Sequence, residues 1–264
     1  MLTSTKNPLV KQIKKLQQVK GRKKQNLFLL EGNHLITAAC EYLYPLEVVC
    51  FTPQWQEKNS ELAARIKALA KRVEIVSLEV LKAMATTINP EGVIATAKIL
   101  ISDDLAEKKA NLGLILERIQ DPGNLGTIIR TAVATGVDNL SLSQDSVDIY
   151  NPKVLRASVG EWFKLPLQVR ENLVKTVQIY QQQGMQVVAT VPTAKKSYWE
   201  IDFNLPTLIL LGNEAAGLSS ELISLADKLV TIPLAGGVES LNVGIATAVI
   251  LYEVRRQRAL KLVA

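Results

Sequence analysis

The residues best placed to do chemistry stand in three loops, each rich in glycine or small residues and each following a run of apolar residues. One reads Ile232-Pro233-Leu234-Ala235-Gly236-Gly237-Val238-Glu239-Ser240-Leu241-Asn242-Val243-Gly244. Its backbone can shape itself around a ligand, and Ser240 and Asn242 offer polar side chains where an apolar helix begins. A second follows the apolar run 208–211 and reads Gly212-Asn213-Glu214-Ala215-Ala216-Gly217-Leu218-Ser219. Gly212 permits close backbone approach to a ligand. Glu214 is an acid at the mouth of an apolar pocket, or alternatively a helix-start carboxylate favoured by the dipole. The third runs from Glu117 through Asp121-Pro122-Gly123-Asn124-Leu125-Gly126 to Arg130, ending a buried strand and opening a helix. Arg130 is expected about one turn into that helix. Sites in open α/β sheets lie at this strand-to-helix edge. Each loop alone is ambiguous, but three of them after three buried strands converge on one site.

Several chemistries are disfavoured. A phosphate loop of the Walker type needs Gly-Lys-Ser/Thr where this chain has Gly126-Thr127-Ile128, and the dinucleotide fingerprint is absent. His34 is the only histidine and Cys40 and Cys50 the only cysteines, so a zinc site of Cys and His ligands cannot be assembled. A lone histidine also argues against histidine acid–base catalysis. The cysteines read as buried small hydrophobes. No metal is expected.

The elements that must position these loops follow from periodicity. The 264 residues are 48% apolar, enough for about two domains with real cores. Asn7-Pro8 starts a helix whose stripe is Val10, Ile13, Leu16 and Val19, and Gly21 is expected to stop it. Strands and helices then alternate to residue 99, giving a small α/β unit, 1–101. The charged stretch 102–111 reads as a linker. A second alternating series fills 112–264, with strands at 112–116, 139–142, 187–190, 207–211 and 229–232. Helices are expected at 126–135, 153–158, 173–183 and 243–257. Such alternation implies an α/β fold with a mostly parallel sheet.

Charge is distributed unevenly. Residues 1–24 carry Lys6, Lys11, Lys14, Lys15, Lys20, Arg22, Lys23 and Lys24 and no acid, against a whole-chain charge of +6, so the remaining residues sum to −2. A basic arm on a near-neutral body is the electrostatic footprint of a nucleic-acid binder. The narrow apolar stripe lacks an aromatic anchor, which disfavours a membrane-surface helix. No run approaches the ~18 apolar residues of a membrane span. The N-terminus is too lysine-rich for a secretory signal. A cytoplasmic protein is expected.

The three loops resemble motifs one, two and three of the SpoU (TrmH-like) RNA ribose 2′-O-methyltransferases of the SPOUT superfamily. Asn124 with Arg130, Gly212-Asn213-Glu214 with Gly217-Leu218, and Ile232-Pro233 with Ser240-Leu241-Asn242-Val243 carry the likeness, which spans about residues 112–258. Residues 1–101 are similar to the family's RNA substrate-binding domain, a ribosomal-protein-like fold. The resemblance implies a deep C-terminal trefoil knot, a topology nearly absent from other proteins. It also implies S-adenosylmethionine as cofactor, held against backbone at Gly212, Ile232 and Leu241, with Leu211, Val243 and Thr190 as walls.

The same resemblance gives central roles to Asn124, Arg130, Glu214, Ser240 and Asn242. Arg130 either activates the ribose hydroxyl or grips the adjacent phosphate and stabilises the developing alkoxide. Free arginine holds its proton far above physiological pH, which favours the second account. Ser240 and Asn242 are expected to position the nucleotide and hold their loop closed, and Glu214 to orient loop groups. No covalent intermediate is required. A homodimer through the knot is implied, with the small residues Gly244, Ala246 and Ala248 on its helix and Arg130 of the partner subunit beside the cofactor. Lys6, Lys11, Lys14, Lys15, Arg22, Lys23 and Lys24 are expected to contact RNA, ribosomal in preference to transfer RNA. A silent RNA-binding or ribosome-assembly protein is the alternative; the intact set of five disfavours it. Base methylation is disfavoured by Ser240-Leu241-Asn242.

Overall fold

The computed structural model describes residues 1–100 and 110–261. The expected linker therefore lies almost wholly outside the described residues. The chain divides into two compact units, Met1–Ile101 with Asp148–Lys164, and Ser102–Val147 with Leu165–Ala264.

The first unit opens with α1 (Pro8–Lys15) and α2 (Val19–Gln25), then β1 (Leu27–Glu31), α3 (Asn33–Glu41) and β2 (Leu46–Phe51). It continues with α4 (Pro53–Lys58), α5 (Ser60–Leu69), β3 (Ala70–Ile75), α6 (Leu78–Met84) and β4 (Val93–Lys98). The sheet order is β1-β4-β2-β3, antiparallel except for the β2/β3 pair. Asn7 caps α1 by accepting from the Leu9 amide, with Pro8 in the first turn. Val10, Ile13 and Leu16 are buried against Leu29, Val80, Met84 and Ile94. The basic stretch is thus part of a packed core and not a free arm.

Gly21 does not end the first helix. That helix stops at Lys15, and Gly21 lies inside α2, where an added Cβ would come 1.8 Å from the Lys15 carbonyl oxygen. Glycine here serves close approach of two helices.

In the second unit come β5 (Leu112–Leu116), α7 (Pro122–Thr135) and β6 (Asn139–Ser143). The next helix, α8 (Pro152–Ser158), lies in the segment that folds with the first unit. The second unit resumes with β7 (Leu167–Arg170), α9 (Leu173–Gln182), β8 (Gln186–Thr190) and β9 (Lys196–Ser197). It closes with β10 (Thr207–Leu211), α10 (Ser220–Ser224), β11 (Lys228–Thr231) and α11 (Val243–Lys261). All seven strands are parallel, in the order β7-β6-β5-β10-β8-β11-β9. Every residue of β5 and β10 is buried. Burying one such Leu or Ile side chain stabilises by about 1.5–3 kcal/mol. These two central strands therefore fix the loops that follow them.

The segment Asp148–Lys164 follows strand β6 in sequence but makes its contacts in the first unit. Phe28 packs on Tyr150 and Trp162 at centroid distances of 5.0 and 5.4 Å. Arg156 reaches the buried Glu31 carboxylate at 3.3 Å. Arg22 is 1% exposed; its guanidinium donates to Asp148 at 2.9 and 2.6 Å and to the carbonyls of Leu16 and Gln17. Arg22 is therefore withdrawn from the expected RNA contacts, because its charge is already buried and paired. Lys6, Lys11, Lys14, Lys15, Lys23 and Lys24 are all exposed.

Among the described residues no helix is long and apolar enough to cross a membrane, and no group of three His, Cys, Asp or Glu could hold a metal ion.

Candidate active site at three strand ends

Strand β5 ends at Leu116, and the Glu117 amide still donates to the Leu211 carbonyl at 2.9 Å. Arg118 then adopts a left-handed φ of 57° and turns the chain. Asp121 caps α7 by accepting from the Asn124 amide at 2.9 Å, and Pro122 occupies its first turn. The helix so begins four residues before the expected Gly126. Arg130 consequently stands eight residues beyond the first helical residue, roughly 12 Å along the axis and more than two turns in. It is exposed and makes no hydrogen bond or ion pair among the described residues.

Strand β10 runs into the loop 212–218, which folds on itself. Asn213 Oδ1 accepts from the amides of Ala215 and Ala216, and the Gly217 amide donates to the Asn213 carbonyl. An added Cβ at Gly212 would stand 2.2 Å from the Gly217 carbonyl carbon. Glycine at 212 is thus demanded by the loop's own closure, over and above any approach to a ligand. Two residues at the end of β5 grip this loop from outside. Asn213 Nδ2 donates to the Arg118 carbonyl at 2.9 Å, and the Ser219 amide donates to Glu117 Oε2 at 2.7 Å.

After β11, the third loop turns back through Gly236 and Gly237, with φ of 67° and 73°. Asn242 closes it by accepting from the Gly244 amide at 2.9 Å in the first turn of α11.

The three loops meet through side chains. Asn242 Nδ2 donates to Asn124 Oδ1 at 3.0 Å, and Asn124 Nδ2 donates to Glu214 Oε1 at 2.5 Å. One carboxamide, accepting on one side and donating on the other, therefore joins residues 90 and 118 positions away. The charged acceptor fixes which end of Asn124 faces Asn242.

Beside this chain of bonds lies a cavity of ≈ 390 Å³. Thr190, Leu211, Gly212, Ile232, Leu241 and Val243, the six residues expected to hold a cofactor, all line it, as do Glu214 and Ser240. Its size falls within the range of small-molecule and cofactor sites. Asn124, Asn242 and Arg130 are not among the lining residues. Pattern reading passed over Glu117, Arg118 and Glu239, although all three lie inside the quoted loops. A left-handed arginine gives no local signal, since glycine or asparagine ordinarily marks such a position.

A parallel α/β sheet whose strand-end loops line such a cavity has the form of a small-molecule or cofactor site. The family model described as "SpoU rRNA Methylase family" matches residues 111–252, and that described as "MRM3-like substrate binding domain" matches residues 7–95. The chain belongs to the SpoU rRNA methylase family. It is 49% identical over 257 residues to an uncharacterized tRNA/rRNA methyltransferase of Synechocystis, covering 97% of this chain and 94% of that relative. It is 33% identical over 254 residues to the Bacillus subtilis 23S rRNA (guanosine(2553)-2′-O)-methyltransferase RlmP, covering 96% and 98%. The AdoMet-bound rRNA methyltransferase from Sinorhizobium meliloti matches with a TM-score of 0.87 at 33% identity, covering 97% of each chain.

Proposed function

We propose that this protein transfers a methyl group from S-adenosylmethionine to a ribose 2′-hydroxyl of ribosomal RNA. The observation that carries this is the convergence of the three motif loops on one cavity, tied together by Asn124. The cavity fits the cofactor: apolar walls and backbone suit an adenosyl group, and carboxylates at the mouth suit its cationic end. When bound, S-adenosylmethionine supplies an electrophilic methyl group.

This chain's own residues do the rest. Asn124, Glu214 and Asn242 hold the loops closed around the cavity. Ser240 faces the RNA and positions the nucleotide. Arg130, exposed and unpaired, grips a phosphate and stabilises the alkoxide as it develops, an electrostatic role that needs no proton loss from arginine. Arg130 is exposed and does not line the cavity of its own chain, which supports its use by a partner subunit in a homodimer built on the second unit. The C-terminal segment is threaded in a knot in this reading, and Gln257 and Arg258 of α11 anchor it by bonds to the backbone of residues 201–205 and 111. The exposed lysines of residues 6–24 supply phosphate contacts within a substrate-binding unit. The cytoplasm is the compartment where such an RNA is met.

The test is methyl transfer from labelled S-adenosylmethionine to a 23S rRNA transcript, with the product mapped by alkaline hydrolysis. A 2′-O-methyl group blocks cleavage at its own linkage. A labelled product that alkali still cleaves fully would mean base methylation and would refute the proposal. Cofactor binding without any transfer would favour the silent assembly protein.

A further inference from the structure

The cavity's charge is one-sided. Its lining includes two carboxylates, Glu214 and Glu239, and no Lys, Arg or His. The other polar residues among its lining are Thr190, Asn213, Thr231 and Ser240. Glu214 is already engaged with Asn124. Glu239 is exposed and has no hydrogen bond or ion pair among the described residues. Its position follows from the turn before it. Gly236 and Gly237 both hold positive φ, and neither would meet another atom if a Cβ were added, so the turn and not crowding calls for glycine at both. That turn returns the chain to the cavity mouth at Val238, Glu239 and Ser240.

We infer that Glu239 is a specificity-determining residue that makes the cavity prefer the positively charged methyl donor over its uncharged thioether product. The inference rests on the methyltransferase proposal above. Methyl transfer forms a C–O bond at the ribose and breaks the C–S bond. The electron pair of the broken bond stays on sulfur, and the hydroxyl proton passes to water. The ligand in the cavity thereby loses one positive charge. A free carboxylate at a mouth where this chain's own lining supplies no cation attracts the ligand before transfer more than after it, and this contribution adds to that of any fixed charge brought by a partner subunit. Glu239 thus favours product release, which is the step that limits many well-evolved enzymes.

The test is calorimetric binding of S-adenosylmethionine, S-adenosylhomocysteine and sinefungin (whose amine replaces the sulfonium) to the full chain and to Glu239→Gln and Glu239→Asp. The Gln variant is expected to lose roughly three- to tenfold in affinity for the two ligands cationic at that position, the scale of one unit charge acting across a water-exposed mouth. Affinity for the thioether should stay within about twofold, and the Asp variant should restore the preference. Equal loss for all three ligands would overturn the inference, since Glu239 would then read the shared ammonium or support the loop. No change for any ligand would overturn it too. Failure of the unsubstituted protein to bind S-adenosylmethionine would refute the methyltransferase proposal itself.

Discussion

Asn124→Ala is the sharpest test of the site. The side chain accepts from Asn242 at 3.0 Å and donates to the Glu214 carboxylate at 2.5 Å, so truncation removes the one side-chain hydrogen bond that, among the described residues, links the third loop to the other two. A neutral hydrogen bond contributes about 1 kcal/mol net and one to a charged group about 1.5–3 kcal/mol. Glu214 and Asn242 are both exposed, so water recovers part of this. A loss of about 1–2 kcal/mol remains, and it falls on the closed form of the loops. Because Glu214, Ser240 and Leu241 line the cavity, S-adenosylmethionine affinity is expected to drop roughly five- to thirtyfold. Calorimetry on Asn124→Ala, Glu214→Ala and the double variant completes a cycle. The single effects on binding should overlap, with a coupling of about 0.5–3 kcal/mol. Additive effects, or an unchanged affinity in Asn124→Ala with intact folding, would refute the tie between the loops.

Four further outcomes are expected. Arg130→Ala should lower kcat about a hundredfold or more while leaving S-adenosylmethionine affinity within about twofold, because the guanidinium stands outside the cavity; nearly full activity of Arg130→Lys with a shifted pH optimum would count against the phosphate grip. Replacing Lys11, Lys14 and Lys15 by Gln should weaken RNA binding and flatten its salt dependence by up to about 0.9 in log–log slope per lost contact; Arg22→Ala should instead destabilise the fold in denaturant titration, by less than the about 3–5 kcal/mol of a fully buried pair, because Asp148 is partly exposed and keeps its bond from the Tyr150 amide. Gly212→Ala should abolish S-adenosylmethionine binding, because the new methyl group would overlap the backbone of Gly217, and a normal affinity would refute that account of the loop.

Much of the second unit is legible in the chain because its signals are local. Uninterrupted apolar runs such as 208–211 mark strands buried on both faces, and the glycines after them mark loops. The helix start at Asp121-Pro122 was equally local, yet the glycine at 126 masked it. Gly21 shows the converse error: a residue that commonly ends a helix sits here within one, because its lack of a side chain is needed by a neighbouring helix. The two-residue strand Lys196–Ser197 has no periodic signal and exists through its pairing with β11.

The strand ends, the small residues of the loops and the concentration of positive charge in residues 1–24 are all readable from the amino-acid order. Each of these depends on a residue's own conformational freedom or charge and on neighbours a few positions away. That Arg22 is a buried partner of Asp148 while the lysines around it face water emerges only from the packed fold. The same holds for the allegiance of Asp148–Lys164 to the first unit. It holds also for the orientation of Asn124 between Glu214 and Asn242. These outcomes depend on which surfaces meet across 90 residues or more, and neither propensity nor period reaches that far.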